Sequence, residues 1–250
     1  MKKMKLSMKI ITTTVITVIV VVICFILVIM DAYNGNPISK GIATGKINDY
    51  VKTTYEEYEL IVGETRYSFD YGNYWSYVYS KKDIDMHFNV MYKHGKIYDN
   101  FEFQVLSGQN TCLRMEKEYT LFISSLLKKE YPYTYKNAAV QYVEMDYEKK
   151  FDGKLNKPLD INDAKYMKVS LFLNNVDGSV ESLASNLKKL HLILTKNGYY
   201  FDEYDLVIES YIRVSSIKSN MIDEKLVELI QYALDNREEA IEKYGFWVNK

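Results

Sequence analysis

Hydrophobic and polar positions follow three different rules along the 250 residues. From Ile10 to Met30 there is no alternation at all. These 21 residues, IITTTVITVIVVVICFILVIM, contain no charged residue, no Gly and no Pro. At ~1.5 Å of rise per residue such a run covers roughly 30 Å as a helix, the hydrocarbon thickness of a bilayer. The hydroxyls of Thr12, Thr13, Thr14 and Thr17 can bond back to helix carbonyls. β-branching disfavours a helix in water, but in lipid the backbone must satisfy itself. The run therefore predicts a membrane-spanning helix.

The second rule is the 3.6-residue period. Asn36 suits an N-cap and Pro37 the first helical position. Ile38, Ile42, Ile47, Tyr50, Val51 and Tyr55 then predict a helix over 37–56. A second helix is expected at 110–130, displaying Leu113, Tyr119, Phe122, Ile123, Leu126 and Leu127 and stopping before Pro132. Val180, Leu183, Ala184, Leu187, Leu190, His191 and Leu194 form an amphipathic stripe ending at Asn197-Gly198. A last helix over 222–244 shows Leu226, Leu229, Ile230, Ala233, Leu234, Ala240 and Ile241 and ends at Gly245.

The third rule is period two. Strands are predicted at 59–70, 74–80, 84–92 and 97–105, separated by Gly72-Asn73, Lys81-Lys82 and His94-Gly95. In the third of these, Ile84, Met86, Phe88 and Val90 point one way while Asp83, Asp85, His87 and Asn89 point the other. Further strands are expected at 138–147, at 165–174 with Met167, Val169, Leu171 and Leu173 on one face, and at 204–213 with Tyr204, Leu206, Ile208 and Ile212 inward. A polar loop is expected around Asp152-Gly153 and Lys157-Pro158. The pattern predicts an α+β protein. Residues 1–9 form a short N-terminal tail and 10–30 the anchor, 31–135 a helix packed on an antiparallel meander, and 136–250 a second, smaller α+β unit.

Charge orients the chain. Lys2, Lys3, Lys5 and Lys9 precede the span and Asp31 follows it, which puts the N-terminus in the cytoplasm and residues 31–250 outside. A cleaved signal peptide fits less well, because its apolar stretch usually runs only ~7–15 residues and no A-x-A site follows here. Four of the 32 basic residues lie before the span, leaving 28 against 33 acidic ones outside, a net charge near −5. No basic stretch dominates, which argues against nucleic acid. Cys112 is the only cysteine beyond the span, so no internal disulfide can form there, and a region of this size must rely on its core. With no N-x-S/T sequon and with 24 Tyr, the composition suggests an AT-rich bacterial gene and a one-membrane envelope.

The lysine-flanked anchor, the turn N-G-N-P-I-S at Asn34 to Ser39, and a helix running into a Tyr-rich meander resemble the YfjL-like proteins of Gram-positive bacteria. The resemblance is most specific at Asn34, Gly35, Asn36 and Pro37 and extends through Asp85-Met86-His87-Phe88. It implies a small membrane-anchored protein whose N-terminal half is similar to PepSY or cystatin-like modules, a helix laid on an antiparallel sheet. It carries over no catalytic residue.

Candidate chemistry is sparse. Asp83, Asp85 and His87 at alternate positions could offer two carboxylates and an imidazole to a metal, although alternation alone produces such a solvated face. His191 on its apolar stripe reads as a core-edge histidine bonded to a carbonyl. Ser39 and Ser215-Ser216 lack a nucleophile-elbow context, and Cys112 lacks a Cys–His signature. Glu238, Glu239 and Glu242 read as solubilising groups on the last helix. Tyr67, Phe69, Tyr71, Tyr74, Trp75, Tyr77 and Tyr79 crowd one predicted hairpin. Exposed rings can stack on sugars or peptides, but strand propensity favours sheet packing. The expectation is therefore a non-enzymatic binding or regulatory module of the envelope, with no cofactor and no metal, held in the membrane through residues 10–30 and facing an envelope protein or peptide. The alternative is a metal-dependent factor using Asp83, Asp85 and His87.

Overall fold

The computed structural model describes residues 2–132, 135–143, 155–174, 176–208 and 212–249. Two compact units divide the chain, Met1–Leu106 and Ser107–Lys250.

The first unit begins with α1, Lys2–Asn34. Its segment Thr12–Met30 has a mean hydropathy of 3.1 and buries nothing against the protein, so it is long and apolar enough to cross a membrane. Thr17 donates to the Thr13 carbonyl at 2.9 Å, which satisfies its hydroxyl within the helix. Gly35 then turns the chain at a φ of +75°. Asn36 caps α2, Pro37–Thr54, its Oδ1 accepting from Ile38 N at 2.9 Å and Ser39 N at 3.2 Å. Ala43, Ile47, Val51 and Tyr55, four residues apart, form its buried stripe. Ile38 and Ile42, which the sequence pattern includes in that stripe, are 75% and 53% exposed. Each stands one position before the four-residue spacing of that stripe, ~100° round the helix from it.

That sheet is an antiparallel meander of β1 Leu60–Val62, β2 Arg66–Ser68, β3 Asn73–Ser80, β4 His87–Lys93 and β5 Lys96–Asp99. The single strand expected over 59–70 is two, β1 and β2, both paired with β3. Val62 pairs with Val78 but Arg66 with Trp75, so Gly63, Glu64 and Thr65 oppose only two residues, a bulge. Thr65 is buried there and bonds Ser76 at 2.9 Å, while Thr44 of α2 donates to Thr65 at 2.9 Å. The expected strand 97–105 stops at Asp99, and Glu102–Leu106 forms a π-helical turn. Under α2, Phe88 meets Tyr55 and Phe101 with ring centroids 5.1 and 5.0 Å apart.

The second unit has a mixed sheet in the order β10-β9-β8-β7-β6. Its strands are β6 Tyr135–Tyr142, β7 Met167–Leu173, β8 Glu203–Ile208, β9 Ile212–Lys218 and β10 Trp247–Asn249. β7 and β8 are parallel, which requires a crossover. The helix α4, Val180–Lys196, supplies it. Its stripe of Val180, Leu183, Ala184, Leu187, Leu190 and Leu194 is buried as expected, and Ser179 caps it by accepting from Ser182 N at 3.2 Å.

The helix α3, Gln109–Glu130, packs on β6. Thr120 accepts from Val140 N at 2.9 Å and Glu116 from Tyr142 N at 2.8 Å. Cys112, Met115, Tyr119, Ile123 and Leu127 of α3 enter the core of this unit. The division therefore falls at Leu106/Ser107 rather than at 135/136, and the second unit is the larger. Leu113 and Phe122, expected on the buried face, are 52% and 44% exposed. The helix expected over 222–244 breaks at Asn236 into α5, Leu226–Asp235, and α6, Arg237–Tyr244. The strand expected over 204–213 is β8 and the start of β9, with 209–211 outside the described residues. Residues 144–147 of the expected strand 138–147, and Asp152-Gly153, also lie outside them.

Candidate functional site

Asp83, Asp85 and His87 do not line one solvated strand face. β4 begins only at His87, and a turn precedes it, with Met86 N donating to Asp83 O at 3.0 Å and His87 N to Asp85 O at 3.1 Å. The turn reverses the expected phase: Ile84 is 67% exposed and Asp85 is 1% exposed. His87 is half-buried, its ring 5.6 Å from that of Tyr77. Burial pushes its imidazole below the ordinary pKa, and the Asp85 charge acts in the opposite sense. Among the described residues no group of three or more His, Cys, Asp or Glu is placed to hold a metal ion.

The aromatic hairpin is divided by the pleat of β3. Tyr74 is buried, and Tyr67 packs on it with centroids 5.1 Å apart. Sheet packing accounts for these two. Trp75, Tyr77 and Tyr79 occupy the opposite face, where Tyr77 and Tyr79 stack at 5.8 Å. Phe69 and Tyr71, in the β2–β3 turn, are 52% and 70% exposed.

Trp75 separates two clefts on that outer face. One, of about 340 Å³, is bounded by Tyr71, Asn73, Trp75, Asn89, Met91 and Asn100. The other, of about 500 Å³, is bounded by Glu64, Arg66, Trp75, Tyr77 and Asn89. Both are within the size range of small-ligand sites. The smaller holds no charged side chain, whereas the larger is lined by Arg66 and by Glu64, whose carboxylate is ion-paired with Lys40 at 2.9 Å. Asn73 and Asn89 both have a buried Oδ1 with no hydrogen-bond partner. The main chain of Asn89 is engaged, its N–H donating to Asn100 Oδ1 at 2.8 Å. An unmet buried acceptor costs roughly 1–3 kcal/mol, so two beside one cleft mark a place where a donor would be welcome. Alternation assigns Asn89 only to a solvated face, and the one-dimensional pattern reads Asn73 only as part of a turn.

The remaining sequence candidates have structural roles. His191 Nδ1 meets the Tyr204 hydroxyl at 2.9 Å rather than a carbonyl, and burial lowers the pKa of the imidazole and raises that of the phenol. Ser215 and Ser216 form a bulge on β9 opposite Asp205. Ser216 has a φ of +61° there, and its N–H donates to Asp205 Oδ1 at 2.7 Å. Ser39 lies in the first turn of α2. Cys112 is fully buried, out of reach of solvent chemistry. Glu238, Glu239 and Glu242 are exposed on α6.

Two family models match the chain: the YfjL-like N-terminal domain over residues 8–101 and the YfjL-like C-terminal domain over residues 118–231. The gap between them brackets the division at Leu106/Ser107. No curated protein and no solved structure matches the chain. Matched over most of its length, in the domain order its own two units follow, the chain belongs to the YfjL-like family.

Proposed function

We propose that this protein is a non-enzymatic binding or regulatory module of the cell envelope. Residues 10–30 hold it in the cell membrane as a single-pass anchor with the N-terminus in the cytoplasm. Residues 31–250 stand outside, where the outer face of the first sheet receives an envelope protein or peptide. One observation carries this reading: Trp75 stands between two clefts, beside buried Asn73 and Asn89 oxygens that accept no hydrogen bond. A ligand bringing N–H or O–H donors would satisfy them. The helix laid on an antiparallel sheet in this unit supports its PepSY- or cystatin-like reading. Nucleic acid is not a proposed partner, because the region beyond the anchor is acidic. The metal-dependent alternative is not carried forward, because Asp85 turns inward.

The test is a photo-crosslinking amino acid placed at Tyr77, which is 41% exposed, in intact cells. A discrete light-dependent adduct is expected from that position and not from the exposed Glu238 on α6. No adduct, or the same adducts from both positions, would remove this face as the binding surface.

A further inference from the structure

The anchor does not run into a free linker. Gly35 takes a φ of +75°, and a Cβ added there would come within 2.6 Å of the Tyr67 ring. The next residue is clasped by Tyr74: Asn36 N donates to Tyr74 Oη at 2.7 Å, and Tyr74 Oη donates to Asn36 O at 3.1 Å. Two residues before Gly35, on the last turn of α1, Tyr33 stacks on Phe69 with centroids 4.6 Å apart and planes 11° apart. Both rings stay more than half exposed, at 62% and 52%, and Tyr71 in the same turn is 70% exposed. Gly72 N closes this turn onto Phe69 O at 3.3 Å, and Lys93 Nζ holds the Tyr71 carbonyl at 2.7 Å.

Height decides what these rings face. Tyr33 lies three residues beyond Met30, the end of the apolar span. At ~1.5 Å per residue that is roughly 4–5 Å past the hydrocarbon edge, inside a headgroup layer some 5–7 Å thick on each side. Tilting the helix lowers the ring further. Phe69, stacked on Tyr33, shares its depth. Aromatic rings partition into this layer, and a Phe with no polar atom gains nothing by standing half-exposed in water.

We infer that the β2–β3 turn, Phe69 to Gly72, is a second membrane contact, in which Phe69 and Tyr71 lie among the lipid headgroups beside Tyr33 and hold the first unit against the bilayer. This rests on the anchor reading of residues 10–30. The contact is aromatic rather than electrostatic, because Asp70 is exposed in the same turn and the region beyond the anchor is net acidic. The turn should therefore engage zwitterionic and anionic lipid alike and be insensitive to salt.

The test uses the full chain in phosphatidylcholine nanodiscs, with an environment-sensitive fluorophore on single cysteines. Cys24→Ser removes one native thiol, and Cys112 is fully buried. Labels go at Tyr71→Cys, at Asp70→Cys to keep both rings intact, at Val21→Cys within the span, and at Lys81→Cys just past the far end of β3. The two turn labels should emit to the blue of the Lys81 label. Headgroup spin-labelled lipid should quench them several-fold more strongly, equally with and without phosphatidylglycerol and at high salt. Turn labels that match the Lys81 label while the Val21 label reads as buried would overturn this inference and leave the anchor standing. If the Val21 label also reads as aqueous, both fall. Quenching seen only with phosphatidylglycerol and lost in salt would overturn the aromatic contact.

Discussion

Replacing Phe88 with Ala, beside Ile84 with Ala, separates two accounts of where β4 begins. Plain alternation places both side chains on the core face. The structure places Phe88 at 0% exposure between Tyr55 and Phe101, and Ile84 at 67% exposure in the preceding turn. Truncating a buried Phe costs about 3–5 kcal/mol through lost transfer energy and the cavity left behind. Part of that is two edge-to-face ring pairs, worth roughly 0.5–1.5 kcal/mol each. Ile84→Ala should stay within about ±0.5 kcal/mol. In a unit of this size 1 kcal/mol shifts the melting temperature by roughly 4–8 °C, so Phe88→Ala should lower it by at least about 10 °C. Hydrogen exchange read by mass spectrometry on the full chain in nanodiscs can assign the loss to one unit, because local opening is reported peptide by peptide. Protection should fall across β1 to β5 and hold in β7 and β8. Equal losses from the two substitutions would refute the turn at Asp83–Met86 and restore a strand starting at Ile84.

Three other outcomes follow from the same geometry. Gly35→Ala should destabilise the exit from α1 by about 1–3 kcal/mol, because a left-handed φ and a ring contact oppose its Cβ; a thermal melt as stable as wild type would contradict the clasp. Asn89→Leu should leave stability unchanged or raise it by up to about 1 kcal/mol, since it deletes an unmet buried acceptor; a marked loss in a chemical melt would show that Asn89 is structurally required. His87 and His191 are held below the ordinary imidazole pKa by burial, so the unfolded chain takes up their protons at higher pH than the fold does. Their contribution is whole above the unfolded value of about 6.5 and is lost progressively as pH falls from there through the lower folded-state values. Urea melts at about pH 7.5 and 5.5 should show this loss, and His191→Gln should reduce it; an undiminished loss would assign it to other groups.

Where side-chain chemistry was local, the sequence was sufficient. The N-cap at Asn36 and the stripe of α4 from Val180 to Leu194 could both be read because one residue type at one spacing specifies each; the Ser179 cap was not among them. What failed depended on partners distant in the chain. β10 has three residues, too few for any period, and exists because β9 offers an edge. The break at Asn236 interrupts a continuous apolar count, and the bulge at Gly63–Thr65 shifts the register without changing the alternation. The stripe of α3 says only that the helix is buried, not that β6 is what buries it. At the candidate site the aromatic hairpin was legible as a cluster. The cleft beside Trp75 was not, since it needs Asn73 of β3 and Asn89 of β4 on the same face of the sheet.

The central claim is that one helix anchors the chain and everything after it stands outside the cytoplasm. Asn249, the exposed last residue of β10, tests this most directly. A cysteine introduced there as Asn249→Cys should react with a membrane-impermeant maleimide on intact cells. Cys112 gives little background because it is fully buried, and Cys24 lies within the span. Labelling as complete before lysis as after it is the outcome expected. Protection until the cells are broken would place both units in the cytoplasm and contradict the account.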